Sequence, residues 1–174
     1  MNTSKTTLAS LNAADHATFI SVCGPLFEHS PWIAERTYPR RPFATLAALH
    51  AALIATVAAA SESEQLQLLR AHPDLVGKLA RAGQLTAASN TEQAAAGLAA
   101  LDPQEVATFD RYNTAYQSRF GFPFIICARE NKKDAILRAF PSRLSHSRDE
   151  EIAAALAEIA KIAKLRLHDA VFEA

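Results

Sequence analysis

The sequence predicts an all-α protein: apolar residues recur at helical spacing, prolines and glycines fall where helices would end, and only one run is strand-like. With 49% hydrophobic residues among 174, the chain is long enough for one buried core. No Gly/Ser linker and no repeat of about 20–50 residues divides it. We therefore expect a single domain over residues 1–174 built from about seven to eight helices.

The first helix is expected from Asp15 to Glu28, with Phe19, Val22, Leu26 and Phe27 facing inward. Pro31, Pro39 and Pro42 then impose loop or short turns. An Ala-rich helix follows within Phe43–Ala60, where Leu46, Leu49, Leu53 and Val57 form one stripe. This stretch is uncharged, but its alanine content, with Thr45, His50 and Thr56, reads as a core helix rather than a membrane span. Ser61 and Glu64 form an S-x-x-E capping box for a helix that contains Leu66 and Leu69 and runs toward Pro73, which places His72 at a boundary. A short helix is expected over Asp74–Ala82, stopped by Gly83.

Asp102, Pro103 and Glu105 supply a cap, an N1 proline and an N3 acid for a helix whose core face is Val106, Phe109, Tyr112 and Tyr116. The run FGFPFIICA, Phe120–Ala128, is strand-like, yet Gly121 and Pro123 interrupt it and no second strand is expected to pair with it, so it reads as an extended buried loop. A helical stretch with Ile136, Leu137 and Phe140 should break or kink near Pro141. The last helix, Arg148–Asp169, buries Ile152, Leu156, Ile159 and Ala163.

Eighteen basic and eighteen acidic residues cancel, and no block of like charge occurs, which argues against a nucleic acid or a membrane as partner. Cys23 and Cys127 stand in no metal or redox spacing and read as buried thiols of a reducing compartment. The N-terminus lacks a basic start before an apolar run and the C-terminus, VFEA, is no peroxisomal address, so the expected location is cytoplasmic. Dinucleotide, P-loop, nucleophile-elbow, zinc-protease and EF-hand motifs are absent, and the six histidines show no metal-ligand spacing.

What remains for chemistry is a polar minority in apolar surroundings: His72 in AHPDL, then Ser89, Asn90, Thr91, Glu92 and Gln93, then the backbone of the FGFPFIICA run. Each has an ordinary explanation. A lone histidine satisfies a carbonyl at a helix end, and Ser89-x-x-Glu92 is another capping-box pattern.

These segments carry a resemblance. PWIAE and RPF, AHPDL, LTAAS followed by EQ and AGL, YQSRFGFPFIICARE and the closing KIAKLRL lie in the order found in the 2-oxo-4-hydroxy-4-carboxy-5-ureidoimidazoline (OHCU) decarboxylases, and the chain resembles that family over nearly its whole length. The resemblance implies cofactor-independent decarboxylation of the ureidoimidazoline to (S)-allantoin in urate breakdown, an all-α fold and a homodimer. It implies His72 as the catalytic histidine, assisted by Glu92. Substrate binding would fall to Pro73, to Ser89, Asn90, Thr91, Glu92 and Gln93, and to the backbone of Phe124, Ile125, Ile126, Cys127 and Ala128. The family pattern has a glutamate where this chain has Ala88, a change assigned to the neighbouring surface. A non-catalytic helical module that binds a ureide or a partner is the principal alternative, followed by an enzyme of the same fold acting on another ureido or 2-oxo acid, since fold alone does not fix substrate.

Overall fold

The computed structural model describes residues 5–173, apart from the side chain of Leu79. The extreme ends on which the leader and address expectations partly rest, MNTS and Ala174, lie outside the described residues. Two compact units form, one from residues 1–71 and 160–174 and the other from 72–159.

The first unit contains α1 (Leu8–Ala13), α2 (His16–Cys23), α3 (Trp32–Thr37), α4 (Leu46–Ala58) and α5 (Glu62–Arg70). The second contains α6 (Lys78–Arg81), α7 (Ala87–Ala95), α8 (Pro103–Phe120) and α9 (Lys133–Leu144). The 23-residue α10 (Arg148–Ala170) gives its first part to the second unit and its last turns to the first. Two-residue strands β1 (Thr6–Thr7) and β2 (Val171–Phe172) pair in parallel within the first unit, with Thr6 opposite Val171. The all-α expectation holds.

Short polar side chains start α1, α2, α4, α5, α7 and α8 by accepting an otherwise unpaired N–H of the first turn. Asp15 caps α2 through Thr18 N–H at 2.7 Å, and Thr45 caps α4 through Ala48 N–H at 3.0 Å. Ser61 with Glu64 and Asp102 with Glu105 form the two reciprocal boxes expected from their spacing. In α4 the stripe Leu46, Leu49, Leu53 and Val57 is buried as predicted. No single helix among the described residues is long and apolar enough to cross a membrane, and α4 and α5 are bent by 113° at the break between them.

Four local expectations are corrected. The first helix does not reach Glu28: α2 ends at Cys23 and a 3-10 turn covers Gly24–Leu26, because Pro25 has no N–H to continue the ladder. Phe19, Leu26 and Phe27 are buried, whereas Val22 is half-buried. The helix expected over Asp74–Ala82 shrinks to α6, since Val76 adopts φ +57°, outside right-handed helical space. On α8 the buried residues are Phe109, Asn113, Tyr116 and Phe120, with Val106 and Tyr112 only half-buried. Pro141 does not end α9, which runs on to Leu144; so close to the C-terminus it removes a single intrahelical bond, and its ring is exposed.

Candidate functional site

Every residue singled out for chemistry falls in the second unit. His72 is 8% exposed and stands just past α5, at the boundary that Pro73 imposes. The next four residues make a tight turn closed by Gly77 N–H donating to the Asp74 carbonyl at 3.3 Å. Side chains from three helices grip this turn. Gln93 of α7 accepts from Val76 N–H at 3.1 Å and donates to the Asp74 carbonyl at 3.4 Å. Arg81 of α6 donates to the Val76 carbonyl at 2.9 Å, and Asn113 of α8 donates to the Leu75 carbonyl at 2.8 Å.

The start of α7 decides between two readings of Ser89 and Glu92. Its cap is Thr86, whose Oγ1 accepts from Ser89 N–H at 3.2 Å, so Ser89 is the third helical residue and not a cap. The capping-box explanation therefore fails. Helical spacing places Ser89, Glu92 and Gln93 together on the buried face, at 5%, 9% and 7% exposure. Asn90 and Thr91 fall on the exposed side, where the Thr91 hydroxyl donates to the Ala87 carbonyl at 3.0 Å. Asn90 and Gln93 share a cleft of about 340 Å³ with Val76, Arg81 and Leu98. His72 and the segment Phe124–Ala128 do not line that cleft.

The segment after α8 is neither helix nor strand, and Phe124, Ile125, Cys127 and Ala128 are buried with Ile126 half-buried. Its polar backbone finds partners in side chains, as buried peptide groups require. Cys127 N–H donates to the Glu158 carboxylate at 2.8 Å, and the Ile125 carbonyl accepts from Arg143 at 3.3 Å. The Arg143 guanidinium lies 5.1 Å from the centre of the Phe124 ring, which stacks on Phe140 at 3.9 Å. Arg143 is anchored in turn by Glu151, fully buried, which accepts from Arg143 Nε at 2.5 Å, from the Tyr116 hydroxyl, and hydrogen-bonds His146 Nδ1 at 2.8 Å. Burial, reinforced by the neighbouring Glu151 carboxylate, pushes the Tyr116 hydroxyl far above its usual range. Burial also raises the Cys127 thiol, which disfavours the thiolate a nucleophile needs, and takes the Cys23 thiol up to about 12. Among the described residues no group of three or more His, Cys, Asp and Glu could hold a metal ion.

Asn113, Arg143 and Glu151 escaped the sequence reading. The available signal was a polar residue at an apolar helical position: Asn113 is four residues after Phe109 and three before Tyr116.

A low-exposure histidine, a helix face bearing hydroxyl, carboxylate and amide, and a segment whose backbone is fixed by charged side chains are the polar groups that a small all-α protein offers for chemistry in this unit. Residues 12–168 match the family described as OHCU decarboxylase, and the chain belongs to that family. It is 43% identical to the 2-oxo-4-hydroxy-4-carboxy-5-ureidoimidazoline decarboxylase of Haloferax volcanii over 92% of this chain and 94% of the relative. Identity to the mouse protein of the same name is 37%, over 93% and 91%. Among solved structures it resembles that of (S)-allantoin synthase, with a TM-score of 0.76 and 30% identity, covering 95% of this chain and 54% of that one, so the chain spans about half of the latter.

Proposed function

We propose that the protein removes the carboxylate of 2-oxo-4-hydroxy-4-carboxy-5-ureidoimidazoline and yields (S)-allantoin, as a carboxy-lyase of urate degradation. Family membership supports the reaction; the observation that supports the site is the burial of Ser89, Glu92 and Gln93 on one face of a helix whose cap is Thr86, so that neither Ser89 nor Glu92 is there to start the helix.

In this substrate the departing carboxylate sits on a carbon that carries a hydroxyl and adjoins a conjugated imine and ureide. When the carbon–carboxylate bond breaks, carbon dioxide leaves and the electron pair enters the ring system, so the substrate is its own electron sink and the reading asks for no cofactor. The protein orients the ring and moves protons. His72 acts as general acid/base, because imidazole alone among side chains ordinarily titrates near neutrality, and Glu92 orients or polarises it. Ser89, Gln93 and the backbone around Ile125 and Ile126 bind the ureide and ring carbonyls, with Pro73 against the ring. Gln93 keeps one N–H and one lone pair beyond those it gives to the turn, since an amide has two of each. Presenting one ring face to the proton donor accounts for a single enantiomer. The two units work as one decarboxylase domain over residues 1–174, in a cytoplasmic homodimer.

The test generates the ureidoimidazoline from urate in situ and follows (S)-allantoin by circular dichroism above the slow racemic background. Wild-type protein should give a fast chiral signal, and a folded His72→Asn variant should lower kcat by about 10² to 10⁴. A racemic time course with folded wild-type protein would instead favour a ureide-binding module.

A further inference from the structure

The turn after His72 and Pro73 is held by more bonds than an ordinary surface turn requires. Val76 sits at φ +57°, and a β-branched residue in left-handed geometry is strained and persists only where its surroundings over-determine it. Beyond the bonds from Gln93 and Arg81, two come from one face of α8. Asn113 Nδ2 donates to the Leu75 carbonyl at 2.8 Å, and Gln117 Nε2 lies 2.7 and 2.9 Å from the two Asp74 carboxylate oxygens.

Asn113 and Gln117 are four residues apart and so adjacent on an 18-residue helix, which presents both amides to the turn as one rigid comb. Asn113 is 6% exposed and its Oδ1 has no protein partner. An apolar side chain of the same size would pack there without stranding an acceptor, so the position is occupied for its donor. Asp74 is pushed up by burial and drawn back by the Gln117 bond, consistent with a carboxylate kept there for what it ties down. Only Pro73 separates Asp74 from His72. Its ring fixes one backbone torsion and restricts the residue before it, so a displaced turn moves His72 instead of being absorbed between them.

We infer that Asn113 and Gln117 are positioning residues for His72, holding the Asp74–Gly77 turn so that the imidazole meets the substrate in productive geometry. The inference rests on His72 as the acid/base of the proposed reaction.

The experiment compares Asn113→Ala, Gln117→Met, Gln117→Lys and His72→Asn with wild type in the chiral assay, with folding checked by far-ultraviolet circular dichroism and His72 observed by imidazole NMR. Gln117 is exposed, so its variants remain informative if Asn113→Ala fails to fold. Gln117→Met should lower kcat by about 10- to 100-fold at unchanged KM, the cost of misplacing a reacting group by about 1 Å. Its His72 resonance should shift or broaden while the other five histidines stay put. Gln117→Lys, which restores a donor to Asp74, should recover most of the lost rate. Wild-type kcat and an unchanged His72 signal in Gln117→Met, with His72→Asn inactive, overturn the positioning role alone. Full turnover in His72→Asn removes the acid/base assignment and this inference with it.

Discussion

Gly77 closes the turn behind His72, and a methyl group there has no room. A Cβ built on it would stand 2.6 Å from the Asp74 Cβ, a distance such atoms do not tolerate. Gly77→Ala must therefore displace Asp74, the partner of Gln117. We expect a loss of about 1–3 kcal/mol in urea unfolding, typical of overpacking, together with reduced kcat. A variant as stable and active as wild type would show the turn to be pliable. At this scale the sequence singled out the candidate residues more readily than the side chains packed around them. His72, Ser89, Glu92 and Gln93 were legible from motifs in family order, and all four are buried. Asn90 and Thr91 came with them because they are contiguous, and helical geometry then turned them outward. Asn113 showed only as a polar residue on an apolar helical stripe, and neither its carbonyl partner 38 residues away nor the Asp74 carboxylate that Gln117 meets 43 residues away could be read from local periodicity.

Helix starts were the most readable elements, because a cap is a local bargain between adjacent residues. Ser61 and Glu64 did more than their spacing announced. Glu64 accepts from Ser61 N–H at 2.9 Å and from Arg36 at 2.5 Å, and its carboxyl is held down to about 2, first by Arg36 and then by the Ser61 amide. A depressed carboxyl stabilises the fold above its unfolded value and loses that contribution as pH falls through the folded one. Wild type should therefore lose stability between about pH 4.5 and pH 2 more steeply than Glu64→Gln, by a modest amount because the Arg36 pair is water-exposed. Parallel acid limbs in urea titrations would remove Glu64 from the balance. Among the elements the sequence hid are α1 and α3, which span 6 residues each, too few to fill a periodic window.

At the scale of the whole molecule, the first unit is discontinuous in sequence and is completed only when the chain returns at residue 160. The returning segment buries Ile162, Ala163, Leu167 and Val171, and its Arg166 meets the buried Glu28 at 2.9 Å. Deleting residues 160–174 should thus unfold the first unit, since each large aliphatic is worth about 1.5–3 kcal/mol and a buried carboxylate loses a cationic partner. Trp32, the sole tryptophan, lies in that unit and reports its state. Its emission should shift to the red in the truncated chain; unchanged emission would mean that residues 5–71 hold together by themselves. No linker marks either crossing between the units, because one falls just past α5 and the other inside α10.

The pairing of β1 with β2 gives the first unit a mechanical polarity. The strands run parallel, so tension applied through the chain before Thr6 and after Phe172 pulls them in opposite directions along their own axes. The ladder is loaded in shear: its bonds bear the force together, whereas an antiparallel pair tethered at neighbouring ends would unzip one bond at a time. Small as it is, this clasp resists pulling on the two ends of the chain better than its two residues per strand suggest.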